Sequence, residues 1–247
     1  MPGALLAQDQ PQPLTSVALF KVAPKDMAAF TAKAKEFTPT LDKLLADGTI
    51  NSYGMDVDII HVPEGTNVAY WYQTANFAGI QKAKAAIEGF MKANPQTATE
   101  ITSLQDGSAH RDLLVRSLEY KFRKPTGGGM PVWDFSMDRV KEGMGREFVS
   151  GFQTHEKPVL EKLFADGVIC GYQLDTEVVH TSEPGLYWAI ICLPELGARD
   201  KVRAAFEAEN AKRTEAEREK LGNLYRSLTI RADHRDTLSE AVILNGK

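Results

Sequence analysis

The chain repeats itself, and that limits its fold more than any single motif does. Residues 41–48 read LDKLLADG and residues 160–167 read LEKLFADG, an offset of 119. The agreement continues in step, INSYGMDVDIIHV from Ile50 against ICGYQLDTEVVHT from Ile169, so that His61 falls on His180. Tyr70-Trp71 is matched to Tyr187-Trp188, and AAIE at Ala85 to AAFE at Ala204. Both copies end on the same triplet, His110-Arg111-Asp112 and His234-Arg235-Asp236. There the offset is 124, which puts five extra residues in the second copy. Self-similarity at a fixed period means that each copy is one structural unit.

Each copy reads as strand, helix, strand, strand, helix, strand. Residues 14–22 alternate and are rich in β-formers, and Ala23-Pro24-Lys25-Asp26 opens a helix. Met27, Phe30, Ala34, Phe37, Leu41 and Leu44 recur every three or four residues and form one apolar stripe, with Gly48 at its C-terminal end. Strands are expected at 50–62 and 67–74, a second helix at 77–93 with a weaker helical piece at 97–104, and a last strand at 110–122. The second copy has strands at 132–140, 168–181 and 186–193, and one long charged helix over 198–228. Pro39 and Pro158 sit late in the first helix of each copy, where a kink is expected. The organisation is then a disordered or signal-like start (1–13), a first repeat (14–123), a glycine-rich joint (124–130) and a second repeat (131–247).

The βαββαβ order is that of the ferredoxin-like split unit. Its antiparallel sheet carries helices on one face and needs a partner for the other, which a tandem copy supplies. In this the chain resembles the dimeric α+β barrel superfamily, which includes antibiotic-biosynthesis monooxygenase-like, stress-responsive barrel, NIPSNAP-like and chlorite dismutase-like proteins. The resemblance implies an α+β fold in which two tandem ferredoxin-like repeats pack their sheets into one barrel. No catalytic motif of a single family is matched. It leaves open a binding barrel for a small apolar or aromatic ligand, a cofactor-independent monooxygenase-like enzyme, a haem protein resembling the chlorite dismutases, and an assembly module using exposed sheet edges.

Bulk properties exclude several classes. A net charge of −4 argues against a nucleic-acid binder, and no run approaches the ~20 apolar residues of a membrane span. No zinc cluster, phosphate loop or nucleophile elbow occurs, and the HRD strings lack the other kinase signatures. No cofactor or metal is expected, and the fused chain is expected to be a monomer or a homodimer. GALLA followed by QDQPQP, with Ala7 at the cleavage position, reads equally as the remnant of an export signal or as a disordered start, so an exported and a cytoplasmic location both stay open. Cys170 and Cys192 fall on a hairpin turning near Glu183, about four positions out of register, which predicts two buried thiols.

Candidate site residues follow from the repeat. His110 and His234 are candidate acid–base groups, with Arg111, Asp112, Arg235 and Asp236 beside them to orient the imidazole or bind an anion; the alternative is a polar entry into the last strand. His61 and His180 end the long second strand and read as caps rather than metal ligands. Period-two alternation puts Tyr53 and Tyr172 on the face of those histidines, and Asp56, Asp58, Asp175 and Glu177 on the other. Burying unpaired carboxylates is costly, so the acidic face is expected to be exposed or paired with arginine. Tyr53, Tyr172, Trp71 and Trp188 become ligand-binding walls, with Trp133 and Phe135, if the barrel is hollow.

Overall fold

The computed structural model describes residues 12–60, 65–125, 129–180 and 184–246. His61 and its expected role as a cap, residues 1–11, 62–64, 126–128 and 181–183, and Lys247 lie outside them. The first copy runs β1 (Leu14–Phe20), α1 (Met27–Lys35), α2 (Thr38–Ala46), β2 (Ser52–Asp58), β3 (Val68–Thr74), α3 (Phe77–Ala93), α4 (Pro95–Ser103) and β4 (Arg111–Phe122). The second runs β5 (Val132–Arg139), α5 (Gly145–His155), α6 (Lys157–Ala165), β6 (Gly171–Glu177), β7 (Leu186–Leu193), α7 (Ala198–Ala211), α8 (Glu215–Leu228) and β8 (Arg235–Gly246).

The eight strands close into one antiparallel barrel in the order β1-β3-β2-β8-β5-β7-β6-β4. Within each copy the sheet is ferredoxin-like, and the copies join at two seams, β2 against β8 and β4 against β6. Each seam carries a bulge at an equivalent place. The register slips between Met55 and Asp56 opposite β8, and between Ser117 and Glu119 in β4 opposite β6. An extra residue of this kind bends its strand and increases twist, which is how a short sheet is curved into a barrel. Closure also removes the open edges on which an assembly module would depend.

Helices cover the outside in two packed layers. Phe30, Leu41, Leu44 and Ile50 bury against Tyr53, Met55 and Tyr72 in the first copy. Phe148, Phe152, Leu160 and Leu163 bury against Tyr172 and Leu174 in the second. The apolar stripe of the first helix is present, but the expected kinks are full breaks. Pro39 and Pro158 each sit in the first turn of a new helix, α2 and α6, where a missing N–H costs nothing. The long second-copy helix is likewise two helices. Thr214 and Glu217 form a reciprocal capping box that starts α8. The five-residue surplus lies in α8, which has 14 residues where α4 has 9.

The cysteines depart from expectation. Pairing of Gly171 with Cys192 and of Thr176 with Tyr187 centres the hairpin ahead of Glu183. The Cys170 N–H donates to the Cys192 carbonyl at 2.8 Å. The two Cα atoms are 5.1 Å apart and the side chains form a disulfide. A hairpin centred on Glu183 would hold the thiols apart; the displaced centre brings them together. Thiol titration of the unfolded, unreduced protein should find no free cysteine. Replacing both by alanine should cost about 3 kcal/mol in chemical denaturation, the typical value for a loop of this size.

Candidate functional site

The barrel is hollow. A cavity of about 350 Å³ runs between the sheets, lined by residues from all eight strands. Its walls are largely apolar and aromatic: Trp71, Phe122, Trp133, Phe135, Trp188 and Ile190 among them. Both face choices left open by strand alternation are now decided. The acidic face of β2 and β6 points inward, and Tyr53 and Tyr172 point outward beneath the helices.

Asp56 and Asp175 are therefore neither exposed nor paired with arginine, contrary to expectation. They are 3% and 2% accessible, and both border the cavity. Their strands, β2 and β6, stand on opposite walls, four places apart in the ring of eight. Closing the barrel turns this face inward whatever its chemistry, because the apolar opposite face is needed by the helices. Asp56 Oδ2 accepts a 2.6 Å hydrogen bond from the Trp71 indole. Asp175 Oδ2 accepts one of 2.9 Å from Gln173. The second oxygen of each carboxyl has no hydrogen-bond partner in the protein, and neither has Thr15 Oγ1, Ser117 Oγ or Trp133 Nε1. Burial pushes both carboxyls up to about 7. For Asp56 the indoles of Trp71 and Trp133 oppose that rise and the Asp58 charge adds to it; the Trp133 N–H favours the ionised form by proximity without a well-formed hydrogen bond. For Asp175, Ser117 and Gln173 oppose the rise, Ser117 by proximity without a well-formed hydrogen bond. Tyr120 lies nearby, its phenol raised by burial and by the Asp175 charge.

The remaining acidic residues gather at one rim, where Glu177 Oε2, like the aspartate oxygens, has no hydrogen-bond partner in the protein. Asp58 accepts from Ser239 at 2.7 Å, and Glu177 faces Arg111 at 3.4 Å. The HRD triplets stand at this same rim, where β4 and β8 begin. His110 stacks on Phe20 with its ring 4.9 Å away, and its Nδ1 is 3.1 Å from the Leu19 carbonyl. Its Nε2 is 3.4 Å from Asp112. His234 lies between Asp138, at 3.1 Å, and Asp236, at 3.4 Å. Neither histidine lines the cavity; of the two triplets only Arg235 does, and its guanidinium donates to the carbonyls of Ala232 and His234. His180 is exposed, 3.7 Å from Glu177. Tyr53 donates to Asp42 at 2.6 Å and Tyr172 to Glu161, both away from the cavity.

Trp71 and Trp188 do line it, but they are not equivalent. Asp56 pairs with Ala69 across the β2–β3 ladder, whereas Asp175 pairs with Trp188 across β6–β7. The structural counterpart of Trp188 is therefore Ala69, and that of Trp71 is Ile190. The Tyr-Trp pairs matched by sequence are slipped by two residues, which keeps the face but moves the indole by roughly 7 Å along the strand. Gly54 accommodates the result: a Cβ there would lie 2.7 Å from the Trp71 ring and 2.8 Å from the Ile243 carbonyl. Trp133 adds a third indole, edge-on to Trp71 at 6.3 Å and stacked with Phe122 at 6.0 Å. The cavity is thus asymmetric inside a nearly symmetric barrel.

No family model matches the chain, and no curated protein sequence does. Solved structures do. A Fusobacterium nucleatum protein provisionally named a monooxygenase superposes with a TM-score of 0.67 at 11% identity, covering 96% of this chain and 95% of that one. An anthrone oxidase-like protein gives 0.54 at 9%, covering 96% and 94%. A heme-binding protein of Thermus thermophilus gives 0.51 at 9%, covering 93% and 91%. The chain has the dimeric α+β barrel fold, with both halves in one polypeptide. Among the described residues that line the cavity there is no imidazole and no thiolate, and the side chains of a kind that can hold haem iron are Tyr120 and Met137. No described helix is long and apolar enough to cross a membrane.

The two carboxyls set a pH dependence. Each binds its proton more tightly folded than unfolded, so their cost is absent below about pH 4 and grows as pH rises to about 7. Thermal melts should show Asp56→Asn/Asp175→Asn gaining on the parent by roughly 5 °C or more between pH 5 and pH 8. An offset that is the same at both pH values would contradict burial of the charged forms.

Proposed function

We propose that this protein binds a small, largely apolar or aromatic molecule inside its barrel. One observation carries the reading: a cavity of about 350 Å³, within the usual range for ligand pockets, walled by aromatic rings and bordered by buried polar atoms without protein partners. A folded interior normally pairs such atoms, and a ligand bearing a few polar groups would complete them.

All three tryptophans of the chain line the cavity, so intrinsic tryptophan fluorescence reports on the site alone. Titration with 2-phenylethanol should change the emission saturably. Thr237→Phe, which fills the cavity from β8, should weaken binding at least tenfold. A linear, non-saturating response, or one indifferent to Thr237→Phe, would count against the site.

A second reading is cofactor-independent oxygenation, favoured by carboxyls held near neutrality, where a general base works best. For an anthrone-like substrate, a carboxylate removes a proton from the ring CH₂, and the electron pair it leaves goes to dioxygen as a C–O bond forms. The carboxyl returns that proton to the peroxide, and the resulting hydroperoxide loses water to give the ketone. Dioxygen uptake with anthrone should fall at least a hundredfold in Asp56→Asn or Asp175→Asn, and little in His110→Ala or His234→Ala. Loss in the histidine variants alone would move the chemistry to the rim.

A further inference from the structure

Resting on the reading of the cavity as a ligand site, we infer that its ligand is an organic cation: a protonated amine on an aromatic or otherwise apolar frame. The unpartnered atoms specify what a ligand must bring. Of those that line the cavity, Thr15 Oγ1 can donate or accept, and Trp133 Nε1 only donates. The two free carboxyl oxygens, Asp56 Oδ1 and Asp175 Oδ1, call for donors on opposite walls.

Electrostatics choose an ammonium over a hydroxyl as that donor. Among the described residues, the ionisable groups lining the cavity are Asp56, Asp58, Asp175, Tyr120 and Arg235. Arg235 is the one cation of that set, and its guanidinium is turned onto backbone carbonyls at the rim. Arg111 is engaged at the same rim by Glu177. From the elements around Asp56, the groups that face it are Trp71 of β3, Asp58 of its own strand and Trp133 of β5. Around Asp175 they are Gln173 of its own strand, and Ser117 and Tyr120 of β4. None of these carries a positive charge.

The apolar part of the wall points the same way. Trp71, Trp133 and Trp188, with Phe122 and Phe135, present π-faces whose negative potential attracts a cation and repels an anion. Carboxylates set among aromatic rings give an ammonium both charge-assisted hydrogen bonds and cation–π contact. The two indoles at different heights, Trp71 and Trp188, leave it one preferred orientation in an otherwise symmetric barrel. Binding a cation would also hold both aspartates ionised, so affinity should follow their titration.

The test compares three probes of one shape by calorimetry at pH 8: 2-phenylethylamine, 2-phenylethanol and phenylacetate. The amine should bind at least tenfold tighter than the alcohol, and phenylacetate should bind more weakly than both. Asp56→Asn and Asp175→Asn should each weaken the amine about tenfold and the alcohol much less, while an unchanged far-ultraviolet circular dichroism spectrum reports that the variants are folded. Lowering the pH from 8 to 6 should weaken the amine alone. If the alcohol binds as tightly as the amine, or if both variants bind the amine like the parent, the cation is overturned while the ligand site stands. If neither amine nor alcohol binds, both readings fall.

Discussion

Everything in this molecule depends on the two seams where one repeat pairs with the other. Within a repeat the outer sheet face is committed to the helices, through Leu41, Leu44 and Tyr53 in one copy and Leu160, Leu163 and Tyr172 in the other. The inner face then has only the other repeat to meet. Pairing β2 with β8 and β4 with β6 satisfies the strand edges, and the matched bulges supply curvature. A barrel of eight strands has just enough room for side chains to fill it or for one small ligand. Which of those outcomes holds is decided by the size of the inward residues. Here Thr15, Ser52, Ala69 and Gly246 are small, and space remains.

The same closure explains the buried charge. Asp56 and Asp175 are equivalent, each lies beside its seam's bulge, and each is on the face that must turn inward once the helices dock. Isolated carboxyls in such a place are destabilising as anions, and the surroundings give them one good hydrogen bond apiece. A purely structural interior would be more stable with apolar residues there. Groups that cost stability and keep an unused acceptor in a cavity are the pattern expected where an interior is shaped for a ligand.

Much of the architecture was legible because a duplication is read by comparison rather than by propensity. Matching LDKLLADG to LEKLFADG located the helix stripes, and the repeated strand order implied the barrel. The local errors have local causes. Pro39 and Pro158 read as kinks because the apolar period runs through them, yet proline is tolerated in a first turn and so starts a new helix. The Thr214–Glu217 capping box is present in the sequence and is hidden by the charged run around it. The disulfide escapes a reading by register because a hairpin's register depends on its turn, and a small displacement of the centre changes which residues face one another.

The candidate site was less legible, and the tryptophans show why. Trp71 and Trp188 share a sequence context, Tyr-Trp, and strand alternation puts both on the correct face for a pocket wall. Equivalence by motif and equivalence by ladder nonetheless differ by two residues, because a two-residue slip preserves inside and outside while changing height. Only the pairing of Asp56 with Ala69 and of Asp175 with Trp188 reveals it. The HRD triplets mislead in the opposite direction: their repetition draws attention, but their place at the starts of β4 and β8 fixes them at the rim. Repetition in a duplicated barrel marks what both halves need in order to close. The discriminating chemistry lies where they differ, in Gly54 under Trp71, in Trp133 beside Asp56, and in the level of each indole, and a symmetric pair of carboxylates acquires a direction from them.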